Sequence, residues 1–314
     1  MAAPDSHFVV LQLMNLIDSG AQGKVYKAKR TDTDVIIAVK YVNLDLESSN
    51  RENQLVALRS KFEDIKNLDH PNVVRHIHTQ TNVVVSLYEQ PTYQIIMEYC
   101  EGKTLHNLVK DFTVTPLLLQ KWTRQLVDAI TYLHEQCCVH RDIKGANILT
   151  TSLDANTCDL KIADLGDIKR LMKEATQTKE VSHEKGTWAF MSPEMIKGEQ
   201  TENEQCADRI KLGRRTDIWS LGCVIIEMLN GALPQFHNKN GILVAGDMAV
   251  MYFIGSGGSP TVPAKLPQKV HDFITKCLKR NPNERPFAAA LKQHEFLTSA
   301  PEDVATWILP PRLK

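Results

Sequence analysis

One short polar segment, His140 to Asn147, constrains this chain more than any other part of its sequence. Within it a carboxylate (Asp142), an ammonium group (Lys144) and a carboxamide (Asn147) lie close together along the chain. Phosphoryl transfer needs a carboxylate to orient and accept a hydroxyl proton, a cation for the transferred group and oxygen ligands for Mg²⁺. The segment therefore carries the groups of a phosphoryl-transfer loop. The alternative is a chance combination of residues in a solvated turn.

The charge balance and the cysteines argue against several other classes of protein. The 37 Lys and Arg residues equal the 37 Asp and Glu residues, so bulk electrostatic attraction to nucleic acid is not expected. The seven cysteines form no CxxC pair, which favours reduced thiols in a cytoplasmic protein over a zinc site or a disulfide framework. No apolar run reaches membrane-spanning length, and residues 1–7 lack the pattern of a signal peptide. We therefore expect a cytoplasmic protein with no nucleic-acid partner and no membrane insertion.

At 314 residues the chain is long for one hydrophobic core, and its pattern changes from strands to helices after Gly102. Apolar and β-branched runs predict strands at 8–17, 35–39, 83–85 and 93–97, and apolar residues at helical spacing predict a helix over 50–68. The predicted organisation is an N-terminal extension (1–7), a mostly β lobe (8–98), a connection (99–103), a larger helical lobe (104–297) and a C-terminal tail (298–314).

Three long helices are predicted in the second lobe. Thr115-Pro116 forms an N-cap followed by proline at the first helical position. The helix that follows places four apolar residues on one face, namely Trp122, Leu126, Ile130 and Leu133. A second apolar helix is predicted to start at Thr216 and to end at Asn230-Gly231, and a third carries the stripe 270–278.

Several segments resemble parts of protein kinases. The octet 140–147 resembles the catalytic loop, and Asp164-Leu165-Gly166 resembles the Asp-Phe-Gly element. Ala38-Val39-Lys40 resembles the strand whose lysine holds the ATP phosphates, and Gly20 and Gly23, followed by Val25, resemble two glycines of the Gly-rich loop. The resemblance covers about residues 8–297. It implies an α+β, two-lobed kinase fold, with a small antiparallel β lobe that holds helix C and a larger, mainly helical lobe.

The resemblance also implies a cofactor set, ATP with Mg²⁺, and a role for each site residue. Asp142 would orient the acceptor hydroxyl and Lys144 would steady the transferring phosphoryl group, while Asn147 and Asp164 would be the Mg²⁺ ligands. Met97 would be the gatekeeper beside the adenine, which the backbone groups of Glu98 and Cys100 would bind. The remaining ATP-binding positions would be Ile17, Gly20, Gly23, Val25, Ala38 and Lys40.

The chain departs from the family pattern at two places in the first lobe. Asp18 occupies the position of the first loop glycine, where a carboxylate is unfavourable beside phosphates unless it points to solvent. Lys61 falls in the slot of the helix-C glutamate that pairs with the phosphate-binding lysine. Three alternatives stay open for that pairing: Asp64, Glu63, or a register that is off by a residue or two. These departures, together with Leu165, support a second hypothesis, a pseudokinase or scaffold with weak or no phosphotransfer.

Two further resemblances concern the subgroup and its regulation. Thr187 together with Lys144 resembles the serine/threonine-specific arrangement. The strings 97–100, 140–147 and 213–228 resemble the MAP kinase kinase kinase (MEKK-like) group, which implies a MAP kinase kinase as the protein substrate. Glu194 is expected to pair with Arg285. The segment 164–194 holds candidate phosphorylation sites at Thr176, Thr178 and Ser182, and a phosphate there would pair with Arg141.

Overall fold

A computed structural model describes residues 9–20, 23–45, 47–82, 91–170, 187–197 and 206–312. The chain divides into two compact units, Met1–Cys100 and Glu101–Lys314. The first is a β sheet with one helix and the second is mainly helical, which confirms the predicted α+β class.

The first unit is a five-stranded antiparallel sheet with strand order β1-β2-β3-β5-β4. A single helix, α1 (Ser48–Ile65), connects β3 to β4 and confirms the helix predicted over 50–68. The strands are β1 (Leu11–Gly20), β2 (Gly23–Arg30), β3 (Ile36–Asn43), β4 (His76–Asn82) and β5 (Thr92–Glu98).

The two faces of this sheet have different roles because side chains alternate along a strand. Ile37 and Val39 of β3 belong to a buried apolar cluster on one face, completed by Val9, Ala28 and Ile96. Ala38 and Lys40 therefore point to the opposite face. The register pairs Lys40 with Val25 on one side and with Ile95 on the other.

Strand β4 is absent from the sequence prediction because its residues, His76–Asn82, are all polar except one isoleucine. Ile77 packs against the buried apolar cluster, and hydrogen bonds satisfy the buried polar side chain of Gln80. The Gln80 amide donates to Gln94 Oε1 (2.7 Å) and to Val9 O (3.1 Å), and accepts from Val9 N (2.9 Å). The predicted strand at 83–85 lies outside the described residues.

The second unit consists mainly of helices, with two short antiparallel strand pairs. The helices are α2 (Leu105–Asp111), α3 (Pro116–Glu135), α4 (Pro193–Lys197), α5 (Cys206–Asn230), α6 (Asp247–Gly255), α7 (Gln268–Cys277), α8 (Ala288–Leu291), α9 (Glu295–Thr298) and α10 (Pro301–Ala305). The strands are β6 (Cys138–Val139) with β9 (Lys169–Arg170), and β7 (Ile148–Thr150) with β8 (Leu160–Ile162). None of the described helices is long and apolar enough to cross a membrane.

Helix α3 confirms its prediction, whereas the predicted start of α5 is wrong. Thr115 caps α3 by accepting from Leu118 N (3.3 Å), and the four predicted face residues are fully buried. Helix α5 begins at Cys206, ten residues before Thr216. The Thr216 hydroxyl donates to Gly213 O (2.7 Å), one turn back inside the helix, so it does not act as a cap. The predicted end is confirmed, because Gly231 has φ +68° and its N–H donates to Glu227 O.

The segment predicted as a tail includes the short helix α10, which packs against α3. Val304 of α10 is fully buried, and the Trp307 ring lies 6.0 Å from the Phe296 ring. Arg312 Nη1 donates to Lys110 O, the last turn of α2 (3.1 Å). These residues are therefore part of the second unit's packing.

Candidate active site

The loop 140–147 connects β6 to β7 and ends in a 3₁₀ turn, Gly145–Asn147. It brings three predicted site residues together. Lys144 Nζ lies 2.9 Å from Asp142 Oδ2, and Asn147 Nδ2 donates to the same oxygen (2.8 Å) and to Asp142 O (2.9 Å). Lys144 is buried. The Asp142 carboxylate is therefore held in one orientation between a cation and an amide.

The first half of the loop is fixed by a buried carboxylate on α5. Asp217 Oδ2 accepts from His140 N (3.0 Å) and from His134 Nε2 (2.9 Å), and Oδ1 accepts from Arg141 N (2.8 Å). Arg141 has φ 72°, a left-handed conformation that costs a non-glycine residue free energy. Burial tends to raise the pKa of Asp217, but the hydrogen bond from His134, the nearby imidazoles and the Arg141 N–H together hold that pKa below its usual value.

Asp164 lies at the end of the β7–β8 hairpin, next to the loop. Ala163 N donates to Asn147 O (2.8 Å), and His140 Nε2 lies 2.9 Å from Ala163 O, so both ends of the loop are tied to the residue before Asp164. Asp164 adopts a left-handed conformation (φ 53°), and the following Leu165 is buried.

Asn147 and Asp164 fit a Mg²⁺ site in their chemistry. Because the Asn147 amide nitrogen is used by Asp142, its carbonyl oxygen faces away as a potential ligand. Mg²⁺ prefers oxygen ligands, and it commonly takes one or two from the protein and the rest from phosphates and water. Within the described ranges, no cluster of three or more His, Cys, Asp or Glu residues could hold a metal ion by itself.

In the first unit, Val25, Ala38 and Lys40 share one sheet face. Ala38 pairs with Met97 of β5, so the gatekeeper position is next to it in the register. Met97 and Cys100 are half-buried, and the Glu98 side chain accepts from Arg75 N (2.7 Å).

The predicted Gly-rich turn is a tight hairpin in which Gly20 of β1 pairs with Gly23 of β2. Gly23 has φ +125°, and a Cβ there would lie 2.1 Å from Tyr41 O on β3. The sheet therefore requires this glycine whether or not phosphates bind nearby.

Ile17 and Asp18 lie at an irregular position of β1, where the register with β2 shifts. Both are exposed. Asp18 Oδ1 accepts from Ser19 N (2.9 Å), so its charge is stabilised locally.

Comparisons with known proteins agree with this geometry. The family model for the protein kinase domain matches residues 11–297. The chain belongs to the protein kinase family. The mitogen-activated protein kinase kinase kinase ANP1 of Arabidopsis thaliana is 34% identical over 93% of this chain and 40% of its own length. The mitogen-activated protein kinase kinase kinase 4 of Homo sapiens is 34% identical over 90% of this chain and 16% of its own length.

The relatives also include the cytokinesis protein sepH of Aspergillus terreus, 34% identical over 92% of this chain and 19% of that protein. The chain thus spans less than half the length of these relatives. Several of the relatives are MAP kinase kinase kinases, the group that the sequence resembles.

Burial in helix α1 of this kinase distinguishes Glu63 from Asp64, the two acids that could pair with Lys40. Lys61, in the glutamate slot, is exposed. Glu63 is also exposed, and it lies 2.6 Å from Lys66 Nζ on the same helix. Asp64 is half-buried, with its Oδ1 atom inaccessible to solvent. Of the two acids, Asp64 is the one on the inward side of α1.

The described part of the kinase's activation segment confirms one expected contact. Arg285 donates to both Glu194 oxygens, at 2.6 and 2.8 Å, and both side chains are buried. The predicted phosphorylation sites lie outside the described residues, namely Thr176, Thr178 and Ser182.

Sequence reasoning gave no role to Glu227, which contacts the kinase's catalytic loop, or to His106, which pairs with Glu227. Glu227 Oε2 accepts from Gly145 N (3.1 Å), and Oε1 lies 2.6 Å from His106 Nδ1. The signal was available, because Glu227 is the one charged residue in the apolar run 223–229. A charge within such a run indicates a buried, paired group.

Proposed function

We propose that this chain transfers the γ-phosphoryl group of ATP to a serine or threonine hydroxyl of a protein. The supporting observation is the Asp142–Lys144–Asn147 cluster, in which a carboxylate, a cation and an amide are held within hydrogen-bond distance. Lys144 and Asn147 both contact Oδ2. Oδ1 is then the oxygen that would orient the acceptor hydroxyl and receive its proton.

The other site residues divide between nucleotide and metal. Lys40 would hold the phosphates, and the Glu98 carbonyl and Cys100 N–H would bind adenine beside Met97. Further nucleotide contacts would come from Ile17, Gly20, Gly23, Val25 and Ala38. Asn147 and Asp164 would hold Mg²⁺, which when bound neutralises charge on the phosphates. Lys144 would stabilise the negative charge on the transferred group.

The protein substrate is proposed from the relatives. ANP1 and the human relative are both named as mitogen-activated protein kinase kinase kinases, which favours a MAP kinase kinase as the acceptor and a place in a MAP kinase cascade. The free thiols of the described cysteines are in keeping with a cytoplasmic location. The relatives give no support to the pseudokinase alternative.

Transfer of radiolabelled phosphate from ATP tests the activity. Wild type should label a generic acceptor or itself, and Asp142→Asn should lower the rate by at least about 100-fold because a general base contributes that much. The matched control is Asp303→Asn, an exposed aspartate of α10, which should behave as wild type. Equal labelling by wild type and Asp142→Asn would refute the assignment.

A catalytically inactive MAP kinase kinase, offered as acceptor in the same assay, tests the substrate class. Labelling of its activation segment should exceed labelling of a generic protein. Efficient labelling of the generic protein alone would leave the kinase activity intact and reject the substrate class.

A further inference from the structure

Glu227 is a fully buried carboxylate in the last turn of α5. Burying a charge costs several kcal/mol unless it is paired and hydrogen-bonded. His106 supplies that partner at 2.6 Å, and its side chain is about a quarter exposed (24%). Because an ionised carboxylate only accepts, the His106 ring donates through Nδ1.

The second oxygen of Glu227 is used by the catalytic loop. It accepts from the N–H of Gly145, the residue between Lys144 and the 3₁₀ turn that ends at Asn147. A Cβ at position 145 would lie 2.3 Å from Oε2 and 2.7 Å from Cδ of Glu227. The close approach therefore depends on glycine at 145, and the two positions are sterically matched.

Helix α2, which carries His106, is itself tied to the strand that follows the loop. Gly102 N donates to Thr150 O (3.1 Å), Thr150 N donates to Lys103 O (2.9 Å), and Thr104 forms a bridge with Leu149 of β7. His106 is thus held in place by the same strand into which the catalytic loop leads.

The loop is consequently fixed at both ends by carboxylates of one helix. Asp217 holds the N–H groups of His140 and Arg141, and Glu227 holds that of Gly145. Ten residues separate the two acids, about 15 Å along the helix axis. Each is paired with a histidine, Asp217 with His134 at 2.9 Å and Glu227 with His106 at 2.6 Å. Asp142 and Lys144 lie between these fixed points.

We propose that Glu227 and His106 form a positioning pair that holds the Gly145 end of the catalytic loop and so sets the placement of Lys144 and Asn147. The effect on rate rests on the proposed phosphotransfer. The pair acts through Lys144 and Asn147 and not through the residues proposed to bind adenine, so we expect its loss to lower kcat more than it raises KM for ATP.

The test compares Glu227→Leu with Cys223→Ala, a control on the same helix that is equally buried and one turn away. A leucine has a shape similar to that of glutamate but offers no acceptor, so the Gly145 N–H and the His106 ring both lose their partner. We expect kcat to fall about tenfold or more, since a displacement of about 1 Å can cost up to 100-fold, while KM for ATP changes less than about twofold. Cys223→Ala should change neither constant by more than about twofold.

Amide hydrogen exchange gives a readout that is independent of activity. Exchange in residues 141–149 should be faster in Glu227→Leu than in wild type and unchanged in Cys223→Ala, because the Gly145 N–H loses its acceptor. Unchanged exchange, or an equal loss of kcat in both variants, would overturn the positioning role. An inactive wild type would reject the proposed function, and the exchange comparison would still decide the positioning role.

His106 variants separate charge from packing. His106→Gln keeps a donor for Glu227 and should lose less kcat than His106→Leu, which leaves the buried carboxylate without its partner. Equal kcat in both variants would contradict the hydrogen-bonding role of His106.

Discussion

At the scale of single residues, position 61 of this kinase is unusual, because it holds a lysine in the slot of the helix-C glutamate. The question is which acid of α1 lies near Lys40 instead. The sheet face that carries Lys40 also carries Tyr93, because Lys40 pairs with Ile95 and Val42 pairs with Tyr93. Burial raises the pKa of Tyr93, and the charges of Arg59 and Glu63 also act on it. The C-terminal half of α1 therefore lies near this face.

Asp64 is the acid we expect to support Lys40. Asp64→Asn should lower kcat/KM for ATP by about tenfold, the loss of one charge-assisted interaction of about 1.5–3 kcal/mol. Glu63→Gln is the matched control and should change little, because Glu63 is exposed beside Lys66. Lys61→Glu should also change little, since Lys61 points to solvent. A large gain for Lys61→Glu would assign the role to position 61 instead.

The lowered pKa of Asp217 predicts that the second unit loses folding stability as the pH falls into the acid range. A carboxylate with a lowered pKa stabilises the fold above the ordinary aspartate pKa of about 3.9, and this contribution is lost as pH falls through the folded-state value. Asp217→Asn should therefore be less stable at neutral pH and should lose less further stability below about pH 4.

Tryptophan fluorescence during urea unfolding would measure this, because all four tryptophans lie in the second unit. Asp303→Asn, at an exposed position, should lose as much stability at low pH as wild type does. If Asp217→Asn also loses as much stability at low pH as wild type, Asp217 is not the source of the pH dependence.

At the scale of elements, the β1–β2 hairpin and the catalytic loop each depend on a glycine for a steric reason. At Gly145 the close neighbour is a side chain, and at Gly23 it is the backbone of the next strand. A side chain can adjust more readily than a strand in the middle of a sheet. The hairpin should consequently tolerate substitution less well than the loop.

Gly23 and Gly257 form a matched pair for measuring that cost. Both have φ +125°, but an added Cβ meets Tyr41 O at 2.1 Å in the first and nothing within 4 Å in the second. Gly257→Ala should cost about 1–3 kcal/mol through backbone strain, and Gly23→Ala should cost more because the clash adds to it. Calorimetric unfolding would compare them, and equal costs would show that β2 moves freely away from β3.

At the scale of the whole molecule, contacts between distant parts of the sequence fix the regions around the catalytic loop. Glu194, after the activation segment, pairs with Arg285, which lies 91 residues later in the chain. Arg285 also donates to Lys279 O, Arg280 O and Arg215 O. Through Arg285, Glu194 is thus tied to α5 and to the segment that follows α7.

Breaking this pair should be strongly destabilising. Arg285→Met should lower the free energy of unfolding of the second unit by about 3–5 kcal/mol, because Glu194 would remain as a buried charge. The double change Arg285→Met with Glu194→Met should cost less than Arg285→Met alone. Tryptophan fluorescence would follow both. A double variant that is less stable than the single one would argue against a paired-charge origin.

The sequence predicted the features that residues close together in the chain determine. These features are the cap at Thr115, the apolar face of α3 and the polar groups of the loop 140–147. Each depends on neighbours within one turn or one loop. Strand β4 and the start of α5 were not predicted correctly, since their polar residues are satisfied by distant or helical partners. His106 and Glu227 are 121 residues apart, so their pairing follows only from the fold.

The packing of α10 bears on how this kinase domain should be produced for biochemical work. A fragment that stopped at residue 297, where the family match ends, would lack Val304 and Trp307. It would uncover apolar surface on α3 and around Phe296, and it would remove Arg312 from the end of α2. Newly exposed apolar patches promote self-association. A recombinant fragment that retains residues through 312 should remain monomeric at concentrations at which the shorter fragment precipitates.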